Sequence, residues 1–141
     1  MDAPPSDNNA YRFPVSVKGV VIRDGAVILV RNSRDEWELP GGKLELCETP
    51  AECLTREIEE ELGLDVRPRE IIDSWVYSIA SDVHVLVVAY GCAEPSRGNP
   101  VLSDEHTEMR WVPLEDVGGL NMPAGYKRAI ESWSAQIGVG G

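Results

Sequence analysis

Seven glutamates crowd the stretch from Gly42 to Leu64: Glu45, Glu48, Glu52, Glu57, Glu59, Glu60 and Glu61. Glu57, Glu60 and Glu61 stand at i, i+3 and i+4, so a helix here would bring their carboxylates to one side. Like charges so placed repel, and no structural helix needs that many acids on so few turns. A hard divalent cation, which oxygen ligands suit, is the compensation that fits. Taken alone, the run EIEEE also reads as a solvated acidic face. The helix itself is well marked. Thr49 suits the N-cap, Pro50 the first helical position, and Glu52 completes a capping box. Gly63 supplies a left-handed stop. Ala51, Leu54, Ile58 and Leu62 recur at helical spacing as one apolar stripe.

The same stretch resembles the Nudix box, G-x5-E-x7-R-E-U-x-E-E-x-G-U with U aliphatic. Gly42, Glu48, Arg56, Glu57, Ile58, Glu60, Glu61, Gly63 and Leu64 fall on its specified positions. The resemblance implies an α/β/α sandwich with a mixed central sheet, an α/β (α+β) fold. It implies hydrolysis of a nucleoside diphosphate linked to another moiety, with Mg2+ or Mn2+ as cofactor. Glu57, Glu60, Glu61 and the carbonyl of Gly42 become the expected metal ligands, with Glu48 supporting them directly or through water or else bracing Arg56. Arg56 is expected to hold the box glutamates in place rather than act on substrate.

Attack of water on phosphorus also needs a general base within reach of that water. Some family members take it from the box, others from a loop before a late strand. Here that loop reads Ser103-Asp104-Glu105-His106-Thr107-Glu108. Glu105 is the first choice, Glu108 the second and a box glutamate the third. His106 reads as a solvated surface histidine, and His84 as a buried or cross-strand packing residue. Arg31 and Arg34 precede the box, and arginine forks suit phosphate oxygens. Asn121 is a candidate for reading the base, because relatives of the MutT type place such residues near there. Trp75, Tyr77 and Trp111 read as packing residues before stacking ones.

The elements that must position these groups follow from the pattern. Residues 1–12 read as a flexible arm, 13–137 as a single domain and 138–141 as a tail. VSVKGVVI and AVILV are strands joined by an Asp24-Gly25 hairpin turn. Trp37 to Gly42 is a short extended piece leading into the box, and Pro68 ends the box region. Strands are expected over Glu70 to Ile79 and Val83 to Tyr90, turning at Ser81-Asp82, and over Thr107 to Val112. Leu114 to Val117 reads as one helical turn, and Pro123 to Ile137 as a closing helix with Ala129, Ile130, Trp133 and Ile137 on one face.

The whole-chain numbers bound the reading. At 141 residues with 43% hydrophobic content, the chain is long enough for a single proper core. A net charge of −11 argues against bulk binding to nucleic acid or to an anionic membrane. Cys47, Cys53 and Cys92 form no C-x-x-C pair and read as reduced thiols of a cytoplasmic protein. Neither a signal peptide nor a membrane span is expected. The expected partner is a nucleotide substrate, with a homodimer left open. A compact chain leans toward a MutT-like enzyme that converts a nucleoside triphosphate to a monophosphate and pyrophosphate. ADP-ribose, nucleotide sugars, dinucleoside polyphosphates and capped RNA ends are the other substrates in view. The rival class is a Nudix module that binds a nucleotide without cleaving it.

Overall fold

The computed structural model describes residues 9–104, 106 and 108–138. Eight strands and two α-helices follow one another as β1 (Val15–Val20), β2 (Ile22–Arg23), β3 (Ala26–Arg31), β4 (Trp37–Glu38), β5 (Gly41–Lys43), α1 (Pro50–Leu62), β6 (Arg67–Ala80), β7 (Val83–Ala93), β8 (Met109–Pro113) and α2 (Ala124–Ile137), with a 3-10 helix at Leu114–Gly119. They form two four-stranded sheets. In the first, ordered β5-β1-β7-β6, β1 and β7 run parallel and the other pairs antiparallel. In the second, β3 pairs antiparallel with β2, β4 and β8.

The layering follows from side-chain alternation along the central strands. Val17 and Val21, with Ile28 and Val30 of β3, face Cys53, Leu54, Ile58 and Leu62 of α1. Val20, with Val27 and Leu29, faces Tyr126, Ala129, Ile130 and Trp133 of α2. Helices thus cover both faces, which is why AVILV is apolar at every position rather than at alternate ones. This is the mixed α/β/α arrangement that the box resemblance implies. Trp75 and Tyr77 pack against the α2-side core, and Trp111 against the α1-side core. His84 is a cross-strand residue: Nδ1 lies 2.7 Å from Ser78 Oγ, and the ring meets Tyr11 edge-on.

The structure differs from the sequence expectation at the first hairpin. Asp24 and Gly25 do turn the chain, both at positive φ (51° and 77°). The turn joins β3 only to the two-residue β2, however. The segment VSVKGVVI breaks at Val21, and β1 belongs to the other sheet, where β7 and β5 flank it. Lys18 therefore stands beside Gly41 and the box. Pro68 follows the box and lies near the start of the edge strand β6, a place in a sheet that tolerates proline. Of the expected strand from Thr107, Thr107 itself lies outside the described residues and the observed strand begins at Met109. Most of the expected arm and residues 139–141 of the tail also lie outside them.

The capping box is complete. Glu52 N–H donates to Thr49 Oγ1 (3.1 Å) and Thr49 N–H to Glu52 Oε1 (2.9 Å). Thr49→Ala should therefore cost about 1 kcal/mol, a fall in melting temperature of roughly 2–5 °C for a domain of this size. An unchanged melting temperature would mean that α1 is held by its apolar face alone.

Candidate functional site

The glycine pair before the box is fixed by close approach. Gly41 has φ +146°, and a Cβ there would fall 2.0 Å from the Val17 carbonyl oxygen. A Cβ on Gly42 would fall 2.2 Å from the Glu57 carboxylate. Only glycines let β5 pass between β1 and α1 with that carboxylate resting on the backbone. At the far end of α1, Gly63 caps the helix at φ 65°. The segment leading to the late loop then bonds to the open helix end. Val101 N–H donates to Leu62 O (2.8 Å), and Ser103 N–H to Glu61 O (2.9 Å). These bonds bring Ser103 to the end of the box, and His106 beyond it reaches Glu61.

Arg56 collects the acids on the outer side. Its Nε and Nη2 donate to the two oxygens of Glu48 (3.0 and 2.8 Å), while Nη1 donates to Glu57 and Glu60 (3.3 Å each). Glu45 lies 3.7 Å away. The fork on Glu48, joined by the Glu45 N–H, holds the Glu48 carboxyl at about 2, and the same pairing raises the Arg56 pKa.

A second, buried set of charges lies behind the box. Glu61 is 3% exposed. Gly41 N–H donates to its Oε1 (3.3 Å), and His106 Nδ1 stands 3.3 Å from its Oε2, close but without hydrogen-bond geometry. His106 Nε2 is 3.8 Å from Glu38 Oε1, an ion-pair separation too long for a good hydrogen bond. Lys18 Nζ reaches the same Glu38 oxygen at 3.5 Å, and Asn32 Nδ2 donates to the other at 3.0 Å. Burial pushes the Glu61 carboxyl up to about 7, against the opposing pull of Lys18, His106 and the Gly41 N–H. Burial would raise Glu38 too, but His106, Lys18 and Asn32 outweigh it and hold that carboxyl at about 2. The Glu38 contact raises His106.

His106 is therefore not the solvated histidine expected: its side chain is 12% exposed and lies between two carboxylates. Sequence reasoning also passed over Lys18 and Glu38. A lysine inside an apolar strand and a glutamate between Trp37 and Leu39 were the available signals. Glu105 lies outside the described residues. Glu108 is engaged by Arg31 Nη1 (3.1 Å) and Arg110 Nη2 (2.9 Å), which lower its pKa. Arg31 also pairs with Asp35. Arg34 pairs with Glu36 and is 41% exposed. Asn121 stitches the β3–β4 turn to the segment before α2: its Nδ2 donates to Asp35 O, and its O accepts from Trp37 N–H, both at 2.9 Å. The box acids and His106 thus form one group. Arg31, Arg34 and Asn121 form another around the β3–β4 turn, and the bond from Asn32 to Glu38 links the two.

The donors at the box suit a hard cation, since they are carboxylate oxygens and the Gly42 carbonyl. The nearby Cys53 thiol, 3.9 Å from Gly42 O, is pushed up to about 12, by burial first and Glu48 second, and so stays protonated. Among the described residues no three acidic, histidine or cysteine side chains stand so as to hold a metal ion; Arg56 takes a share of Glu48, Glu57 and Glu60. A cleft of about 470 Å³ along α1, lined by Arg56, Glu59 and Glu60, adjoins this face. A larger one of about 540 Å³, between Gly25, the 3-10 helix and α2, lies at the other end of β3.

The model of the NUDIX domain matches residues 12–133. The chain is 34% identical over 119 residues to a MutT-like protein of Streptomyces ambofaciens, covering 83% of this chain and 75% of that one. It is 33% identical over 108 residues to a putative 8-oxo-dGTP diphosphatase 2 of Mycobacterium tuberculosis, covering 73% and 75%. Among solved structures, the MutT protein from Methanosarcina mazei Go1 superposes with a TM-score of 0.77 at 26% identity, over 91% of this chain and 97% of that one. The chain belongs to the NUDIX domain family. It is a Nudix hydrolase.

The raised Glu61 carboxyl has a thermodynamic consequence. A carboxyl whose folded pKa lies above its ordinary value of 4.5 stabilises the fold when protonated, and that stabilisation is lost as pH rises through about 7. Glutamine mimics the protonated form. In chelator, the melting temperature of Glu61→Gln should gain on that of the parent protein between pH 4.5 and about 7, then hold a constant lead. A gap that does not change with pH would refute the buried, raised carboxyl.

Proposed function

We propose that this Nudix hydrolase is a Mg2+-dependent pyrophosphohydrolase of nucleoside triphosphates, releasing a nucleoside monophosphate and pyrophosphate. The observation that carries this reading is the complete box in place: the Glu57 carboxylate against Gly42, Glu61 bonded to Gly41 N–H, and Glu60 on the same face beside Arg56. Glu57, Glu60, Glu61 and the Gly42 carbonyl would hold the cation, with Glu48 behind them through Arg56. A divalent cation there would neutralise phosphate charge and lower the pKa of a bound water. The names of the MutT-like and 8-oxo-dGTP relatives favour a triphosphate, and Mn2+ serves as an alternative ion.

The chain's own residues supply the rest. Arg56 keeps the acids from being driven apart by their mutual repulsion. Glu105 takes the proton of the attacking water as that water's oxygen bonds to phosphorus. The bond from phosphorus to the bridging oxygen breaks, and its electron pair leaves with pyrophosphate. Arg34, and Arg31 beside it, offer guanidinium forks to the phosphate chain. Asn121 supports that turn and is the residue proposed to read the base.

A panel of nucleotides, including 8-oxo-dGTP, ADP-ribose and a dinucleoside polyphosphate, tests the reading. A triphosphate should give stoichiometric monophosphate and pyrophosphate. Turnover should vanish in EDTA and return with Mg2+ or Mn2+. Full turnover in chelator, or orthophosphate as the first product, would sink it.

A further inference from the structure

Glu38 stands where three parts of the site meet, yet it touches none of the box acids. From β4 its Oε1 faces Lys18 Nζ of β1 (3.5 Å) and His106 Nε2 of the late loop (3.8 Å). Its Oε2 accepts from Asn32 Nδ2 of the β3–β4 turn (3.0 Å). Asn32 in turn shapes that turn: its Oδ1 accepts from Arg34 N–H (2.9 Å) and Glu36 N–H (3.1 Å), and its backbone exchanges bonds with Asp35 and Glu36. The late loop is pinned by its backbone at Ser103, to Glu61 O, and again at Glu108, whose carbonyl accepts from Arg31 N–H (2.9 Å). Between those two pins, His106 wedged between Glu38 and Glu61 is the side-chain anchor that the described residues provide.

We propose that Glu38 is a positioning residue: it holds His106 of the late loop against the C-terminal end of α1 and the arginine-bearing β3–β4 turn beside it, with Lys18 as its counter-charge. The catalytic half of this inference rests on the hydrolase reading above. The energetics favour a positional role. Taking a lysine and a glutamate to 7% and 9% exposure is a poor way to gain stability, since desolvation offsets most of the attraction. What the arrangement does secure is direction. One carboxylate, bonded on both oxygens, sets the distance between a loop that carries the proposed base and a turn that carries the proposed phosphate contacts. A base misplaced by an ångström loses much of its effect.

Glu38→Gln keeps size and the Asn32 bond but takes from buried Lys18 the counter-charge it is bonded to, so it should lower the melting temperature. The double variant Lys18→Met, Glu38→Gln removes both charges together and should melt close to the parent protein. In that variant, amide hydrogen exchange across residues 101–108 should quicken about ten-fold, as expected for a loop that loses an anchor. Its kcat should fall roughly ten- to a hundred-fold, with KM and Mn2+ affinity (read by electron paramagnetic resonance without nucleotide) within about three-fold. Unchanged loop exchange would overturn the proposal. So would faster exchange with unchanged kcat, or a kcat loss matched by an equal loss of Mn2+ binding. The exchange measurement needs no substrate, so it judges the anchor even if the nucleotide panel fails.

Discussion

One guanidinium stands among four carboxylates on the outer side of α1. Arg56 spans Glu48 with two parallel bonds and reaches Glu57 and Glu60 with its remaining nitrogen, with Glu45 at the margin. A planar fork can do this and a lysine point charge cannot, because the contacts need fixed directions as well as charge. Without it, the acids that face the glycine pair would repel one another out of register. The neighbouring backbone follows the same constraint. Gly42 has no side chain because the Glu57 carboxylate occupies that space, and Gly41 takes its left-handed-side φ because β1 runs directly behind it.

The inner side of the box handles charge differently. Glu61 and Glu38 are both nearly buried and share His106, yet one carboxyl sits at about 7 and the other at about 2. The difference lies in the number of donors. Glu38 faces a lysine, a histidine and an amide, whereas Glu61 has one backbone N–H and an off-line histidine. Two carboxyls pushed apart by their surroundings mark a site able to divide roles between them. The acids around Arg56 gather on the outer side of α1, and Glu38, deeper in, ties Lys18, His106 and Asn32 together.

Much of this was legible before any coordinates. The capping box at Thr49 and Glu52, the left-handed stop at Gly63 and the apolar stripe on α1 are local features, and local chemistry decides them. The β6–β7 hairpin could be read from β-branched and aromatic residues either side of Ser81-Asp82. The first hairpin was misread because pairing is non-local: nothing in VSVKGVVI announces that β1 lies parallel to β7, some seventy residues on. His106 was misread for the same reason. A histidine in a polar loop is solvated by default, and it takes non-local backbone bonds, from Val101 and Ser103 to the end of α1 and from Arg31 to Glu108, to carry it inward. Lys18 and Glu38 went unread because their pairing joins two strands twenty residues apart.

In the proposed hydrolysis, defined box positions carry the chemistry, not general acidity. Glu60 and Glu59 are adjacent on α1, differ in register and carry the same charge. Only Glu60 reaches Arg56 and the acid cluster by a bond. The most direct test is turnover of the best triphosphate substrate by Glu60→Gln and Glu59→Gln, each paired with its melting temperature. Glu60→Gln should lose about two to four orders of magnitude while melting no lower than the parent, and Glu59→Gln should stay within a few-fold. Equal losses from the two would mean that bulk negative charge is all that matters, and equal retention would leave the box as a shape that binds nucleotide without cleaving it.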